Sequence, residues 1–244
     1  MQASTAAHFV GLDLGQSQDF TALAVLERTK VPDRRREDRL VCHYAVRHLQ
    51  RFLLGTAYTD VATYVCQLFD KPPLRDSILA VDFSGVGRPV VDMLRRFRFR
   101  ARVIPITITS GHKISRGGTG AYGVPKKDLV GTLQVLLQSR RIKVAPALSE
   151  AQVLVKELQG FQTKITQAGN EIFGAPWREG KHDDLVLAVA LAAWLGENWV
   201  EPYTGPLVYN SWVPWPDDTN EDNEKPKSRL QQILDELGID LDGD

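Results

Sequence analysis

The chain has 244 residues, 43% hydrophobic and 25% charged, the make-up of an ordinary globular protein long enough for one large domain or a domain with appendages. Its 2 cysteines, Cys42 and Cys66, have no metal-ligand spacing and cannot form a disulfide framework; the longest apolar run, Leu185 to Leu195, is too short to span a bilayer; and Met1–Ala7 lacks the regions of a signal peptide, so a cytoplasmic protein with no membrane partner is expected. The net charge of zero hides an asymmetry: residues 217–244 hold 10 acidic against 3 basic side chains, a balance of −7, which leaves +7 on residues 1–216 and is compatible with a polyanionic partner.

Phe9, Val10, Leu12 and Leu14 predict a buried strand ending at Gly15, and Thr21 to Leu26 predict a second strand folded back on it. Asp13 lies inside the first strand. A carboxylate there is costly unless it is paired, hydrogen-bonded or holding a metal, so Asp13 needs partners. A charged connection over residues 30–39 leads to a third strand at 40–49, making three consecutive antiparallel strands, and then to an amphipathic helix over 59–69 stopped by Pro72 and Pro73. The short apolar strand 77–82 again ends in an acid, Asp82. A helix over 90–97, running into the basic stretch Arg95, Arg96, Arg98 and Arg100, precedes a fifth strand at 101–108.

Residues 109–123 are glycine-rich without an apolar period, which predicts a long loop. No Gly-x4-Gly-Lys-[Ser/Thr] pattern occurs there or elsewhere, so the sequence carries no recognisable ATPase motor. Helices are expected over 126–141 and, capped by Ser149, through Leu158, followed by a hairpin over 160–173 turning near Ala168-Gly169. The last helix opens at His182-Asp183-Asp184 and is apolar on every side, so the sheet must bury it. Beyond it the composition divides the chain into a folded body, residues 1–200, and a Pro-rich acidic tail, 201–244, that ends in a short amphipathic helix marked by Leu230, Ile233, Leu234 and Leu237.

Asp13, Asp82 and the pair Asp183/Asp184 share one description: acids at the ends of buried elements. If the fourth strand lies parallel beside the first, Asp13 and Asp82 sit side by side and the last helix delivers the third acid. Oxygen-only clusters of this kind suit hard cations, Mg²⁺ or Mn²⁺, and two such ions ~4 Å apart can activate water and stabilise the leaving oxygen in phosphodiester hydrolysis. Singly, Asp82 also fits a plain strand end, and Asp183 or Asp184 a helix cap. Successive helix positions point ~100° apart, so the two adjacent acids are not expected to serve one cation equally; Asp183 is taken as the ligand and Asp184 as a supporting acid or ligand of a second ion. Lys113, Arg116, Lys126 and Lys127, in the glycine-rich loop and the helix after it, are candidate phosphate contacts on double-stranded DNA, with solvated surface residues as the plainer alternative.

The order strand–Asp, hairpin, strand–Asp, helix–Asp-Asp resembles the nuclease domain of the large terminase subunit of tailed phages, a ribonuclease H-like fold: an α/β mixed sheet of three antiparallel then parallel strands flanked by helices. GLDLGQSQDFTALAV looks like the first motif of that family, Asp-x-Gly followed by Asp-x-Thr-Ala; AVDFSGVGRPVVDML resembles the second; VPKKDLVGTLQVLL and KHDDLVLAVALAAW resemble the closing helix pair. The resemblance covers roughly residues 8–196. It implies a metal-dependent endonuclease with Asp13, Asp82, Asp183 and Asp184 as ligands, Asp19 and His182 behind them, an ATPase motor, portal or small terminase subunit as partners, and host cytoplasm as the setting. Three alternatives stand beside it: a Holliday-junction resolvase-like nuclease; a non-catalytic DNA-binding or assembly module of the same fold; and the actin-like kinase and ATPase superfamily, which needs more chain and leaves His182-Asp183-Asp184 unexplained.

Overall fold

A computed structural model of the chain describes residues 7–15, 19–33, 36, 39–97, 99–117, 120–160, 162–165, 171–174 and 182–199. The sheet contains β1 (Ala7–Asp13), β2 (Ala22–Pro32), β3 (Leu40–Arg51), β4 (Ile78–Asp82), β5 (Arg102–Thr109), β6 (Ser115–Arg116), β7 (Tyr122–Pro125) and β8 (Ile142–Val144), in the order β6-β7-β5-β4-β1-β2-β3-β8. β1 and β3 each lie antiparallel beside β2, and β4, β5 and β7 run parallel to β1. A separate hairpin pairs β9 (Gln162–Ile165) with β10 (Glu171–Gly174). Its turn and the tail at 201–244 lie outside the described residues.

Alternation along β1 divides the core. Val10 and Leu12 point to one face, packed with the helices α1 (Tyr58–Phe69) and α2 (Gly87–Arg96) through Val61, Val65, Val90 and Leu94. Phe9, Gly11 and Asp13 point to the other face, which is covered by α5 (Asp184–Asn198) and, against α5, by α3 (Lys126–Gln138) and α4 (Ala151–Gly160). Every residue of α5 from Asp184 to Gly196 is buried, as its uniformly apolar sequence requires of a helix enclosed between a sheet and two others.

The seat of α5 on β1 depends on Gly11. A Cβ built there would overlap the Ala188 carbonyl oxygen and come within 2.9 Å of the Ala192 nitrogen, so helix backbone rests directly on strand backbone. The far end of α5 is held by Arg28, a buried cation whose Nη1 donates to the Gly196 carbonyl at 2.7 Å, where the helix dipole favours positive charge.

Three elements differ from the sequence expectation. β2 continues to Pro32, so the charged connection begins three residues later than the sequence suggests, at Asp33 rather than Lys30. The expected loop over 109–123 contains β6 and the start of β7: Tyr122–Pro125 pairs with Ile106–Thr109 of β5, although a Gly and a Pro among four residues leave no strand pattern to read. α3 stops at Gln138 because Arg140, with φ 54°, turns the chain into β8, which adds to the far edge of the sheet beside β3.

Replacing Gly11 by Ala is expected to force α5 off the strand, costing about 3 kcal/mol and lowering the melting temperature by roughly 6–12 °C. Gly131 in α3, with no atom within 4 Å of an added Cβ, is the matched control: Gly131→Ala should stabilise by roughly 0.5–1 kcal/mol. Thermal melts followed by circular dichroism decide both.

Candidate metal centre

Asp13 ends β1 and Asp82 ends β4, two adjacent parallel strands whose pairing runs as far as Leu12 opposite Val81. Since Leu12 and Val81 face α1 and α2, the next residues, Asp13 and Asp82, both face α5. The helix arrives at the same level. Ala188 of α5 touches Gly11, and from there Asp184 is one helical turn back, ~6 Å, while Asp13 is two strand residues onward, ~6.6 Å. α5 runs antiparallel to β1, with Phe9 meeting Trp199 at 6.4 Å between ring centroids, so the two steps go the same way and the acids converge.

Asp13, Asp82 and Asp184 are 6%, 8% and 4% exposed. Burial, followed by the charges of Asp82, Asp184 and Asp183, holds the Asp13 carboxyl well above its ordinary range, with Lys126 acting the other way. Burial also raises Asp82, against the Ser84 N–H that donates to its Oδ1 at 2.8 Å, the Ser84 side chain and Lys126. Asp184 is pushed up to about 7 by burial and then by Glu157, Asp183 and Asp19. Four acids meeting in one place repel one another, and a counter-cation relieves them.

Asp183 occupies the N-cap position of α5 but makes no side-chain hydrogen bond to the turn; its Oδ2 accepts from Lys126 Nζ at 2.9 Å. Asp184, the first helical residue, has an Oδ2 that is buried and lacks a hydrogen-bond partner among the described residues. Asp19, His182 and Asp184 offer ligand atoms all within 4.8 Å of one another, the one such group of His, Cys, Asp or Glu among the described residues. Asp19 reaches it because Gly15 leaves room for the Asp19 carbonyl, with Gly15 itself fixed by Thr21 Oγ1 on its N–H and Tyr58 Oη on its carbonyl. Oxygen donors around an orphaned buried carboxylate oxygen fit a hard divalent cation, and one imidazole keeps Mn²⁺ among the candidates.

The four candidate phosphate contacts separate. Lys126 lies among the acids; Lys127 Nζ stands 2.9 Å from His112 Nδ1; the Arg116 guanidinium lies 5.0 Å over the Tyr122 ring; and Lys113, one residue after His112, is exposed. All follow the C-terminal end of β5 in the chain, the end of the sheet at which Asp82 also sits.

Two further charges at the site carry no motif in the sequence. Glu157 of α4 accepts the Val186 N–H through Oε2 at 3.1 Å, and Arg51, the last residue of β3, brings Nη1 to 3.8 Å from Glu157 Oε1. The available signal was an acid on the apolar stripe Ala151, Leu154, Glu157 of an amphipathic helix.

No protein-family model and no curated protein matches the chain. Solved structures share its fold. The large terminase nuclease of thermophilic phage G20c matches at 21% identity and TM-score 0.53, over 77% of this chain and 81% of that one. The nuclease domain of g2p, the large terminase of bacteriophage SPP1, with bound Mn, matches at 13% identity and TM-score 0.46, over 79% and 87%. By the G20c match the chain has the ribonuclease H-like fold of a terminase nuclease domain. Among the described residues, no helix is long and apolar enough to cross a membrane.

Burial raises Asp184 and Glu157 to about 7 from ordinary values of 3.8 and 4.5. The folded protein therefore keeps protons that the unfolded chain has already released above pH roughly 4 to 5, and its stability must fall as pH rises from there through about 7. Calorimetry in EDTA should show a melting temperature declining from about pH 5 to about pH 8, with Mn²⁺ restoring it most at the upper end. Asp184→Asn should flatten the decline. A metal-free melting temperature that climbs over this interval contradicts the assignment of these shifts.

Proposed function

We propose that the protein is a metal-dependent endonuclease that hydrolyses phosphodiester bonds of double-stranded DNA, with Asp13, Asp82, Asp183 and Asp184 holding two Mg²⁺ or Mn²⁺ ions. One observation carries the reading: Asp184 Oδ2, a buried carboxylate oxygen without a hydrogen-bond partner among the described residues, belongs to a group of acids in which Asp82, Asp184 and Asp183 raise the proton affinity of Asp13, and Glu157, Asp183 and Asp19 raise that of Asp184. Such a place favours a divalent cation over any neutral occupant. The fold, shared with terminase nuclease domains, is consistent with the same chemistry.

Cations bound by these four acids would acidify a water and act as a Lewis acid on the leaving oxygen, a hydrolysis that would leave 3′-hydroxyl and 5′-phosphate ends. The protein's own part is position. Asp13 and Asp82 stand on strand ends that cannot move without breaking the sheet, and Asp184 is fixed against them by the Gly11 contact. Asp19 and His182 offer ligand atoms within 4.8 Å of that of Asp184 and would support its carboxylate from behind the cation. Lys126 neutralises part of the cluster through Asp183 and is placed to turn towards a phosphate when Asp183 is engaged by a cation. Lys113, Arg116 and Lys127, which all follow the C-terminal end of β5, would contact the DNA backbone. The proposed setting is viral DNA cleavage during genome packaging in the host cytoplasm, alongside an ATPase motor, portal or small terminase subunit.

Plasmid cleavage in Mn²⁺ tests the reading. Asp13→Asn removes one charge from the repelling cluster, so the metal-free melting temperature should hold or rise while cleavage drops to background; full cleavage by the folded variant sinks the assignment. Linear against four-way-junction substrates separate this activity from that of a resolvase, which would cut the junction selectively. For these backbone contacts, Lys113→Ala with Lys127→Ala should lower the slope of log affinity against log salt by roughly one unit for each phosphate that the variant no longer neutralises. An unchanged slope returns both lysines to the solvated surface.

A further inference from the structure

α5 begins with two acids, yet Asp183 does not cap the helix, and its carboxylate is committed to Lys126. The first turn of a buried helix cannot leave its N–H groups open, because water is not there to satisfy them. The Val186 N–H is instead satisfied from a different helix: Glu157 Oε2 of α4 accepts it in a buried hydrogen bond. Glu157 is 6% exposed, and its second oxygen, Oε1, has no hydrogen-bond partner among the described residues and lies 3.8 Å from Arg51 Nη1. The Arg51 guanidinium lies 4.3 Å over the Phe20 ring, Phe20 meets His182 edge-on at 4.9 Å, and His182 Nδ1 is 3.8 Å from Asp184 Oδ2. Contacts thus run in a circuit from Glu157 through Arg51, Phe20 and His182 to Asp184, two residues from the bond at Val186 where the circuit began.

We propose that Glu157, steadied by Arg51, is a positioning residue: a helix cap supplied from α4 that frees both acids of α5 for the cation site and fixes their rotation about the helix axis. The proposal rests on the metal-centre reading above. An anionic cap at a helix N-terminus is favoured by the dipole as well as by the hydrogen bond, and a helix held there cannot rotate Asp184 away from Asp13 without breaking it. Had Asp183 or Asp184 capped α5 itself, that carboxylate would be turned into the backbone and lost to the site. Beyond Asp184, the first two turns of α5 carry only apolar side chains, so the cap has to come from elsewhere.

Mn²⁺ titration calorimetry and hydrogen exchange over residues 184–190, on the full chain, decide the matter with wild type, Glu157→Ala, Glu157→Gln and Arg51→Met. Glu157→Ala should weaken Mn²⁺ binding about 10-fold or more and speed exchange in the first turn of α5. Glu157→Gln keeps an acceptor for the Val186 N–H and should return both readouts close to wild type. Arg51→Met should fall between. Wild-type Mn²⁺ affinity in Glu157→Ala overturns the proposal by making the cap merely structural, and equal weakness of Gln and Ala overturns it by making Glu157 a ligand. Should Glu157→Ala fail to fold, the other two variants still decide: weak binding by Glu157→Gln or undiminished binding by Arg51→Met overturns the proposal. A wild type that binds no Mn²⁺ overturns the metal-centre reading and the positioning role with it, while exchange at 184–190 still reports separately whether Glu157 caps the helix.

Discussion

The contact between Gly11 and the backbone of α5 at Ala188 is the constraint on which the rest of the site depends. It is the point at which a helix and a strand touch without a side chain between them, so it fixes both their separation and their relative height. The height matters because a helix advances ~1.5 Å per residue and a strand ~3.3 Å; a turn of one and a dipeptide of the other reach the same level, and Asp184 and Asp13 occupy those positions. A larger residue at 11 would separate the carboxylates before it disturbed any ligand directly. The same contact also explains why α5 needs no polar face: enclosed between β1 and the helices α3 and α4, it presents mainly apolar atoms to its neighbours and takes its end charges, Glu157 and Arg28, from elsewhere.

Gathering four acids in one place destabilises the protein that does it, and the structure offsets part of that burden locally. Lys126 pairs with Asp183 and lowers Asp13 and Asp82; Arg51 stands beside Glu157; the Ser84 N–H supports Asp82. Among the described residues two buried carboxylate oxygens keep no hydrogen-bond partner, Asp184 Oδ2 and Glu157 Oε1. Buried unsatisfied groups persist where function needs them, and here they mark the same end of α5 that the chain topology selects.

Much of this was legible in the sequence because the signals were local and strong. Asp13 and Asp82 each interrupt or close a run of buried apolar residues, and the all-apolar α5 had nowhere to lie but on the sheet. The parallel pairing of β1 with β4 was a condition of the sequence reading, and the structure supplies it. Other features had no local signal. β7 carries Gly123 and Pro125 in four residues and β8 is three residues long, too short for any period. An apolar helix also has no phase, so the separate environments of Asp183 and Asp184 were unreadable until Gly11 set the rotation of α5. Glu157 was missed for a different reason: its partner is a backbone N–H 29 residues away, and one acid on an amphipathic helix reads as solvated unless its stripe position is weighed.

The proposed function requires Asp13, Asp82 and the opening of α5 to enclose a divalent cation, and anomalous diffraction at the manganese edge from crystals soaked in Mn²⁺ tests this most directly. The account predicts at least one strong peak between the carboxylates of Asp13 and Asp82, within coordination distance of Asp184 or Asp183. Well-diffracting soaked crystals with no peak there, or with manganese bound only at a different surface, contradict it.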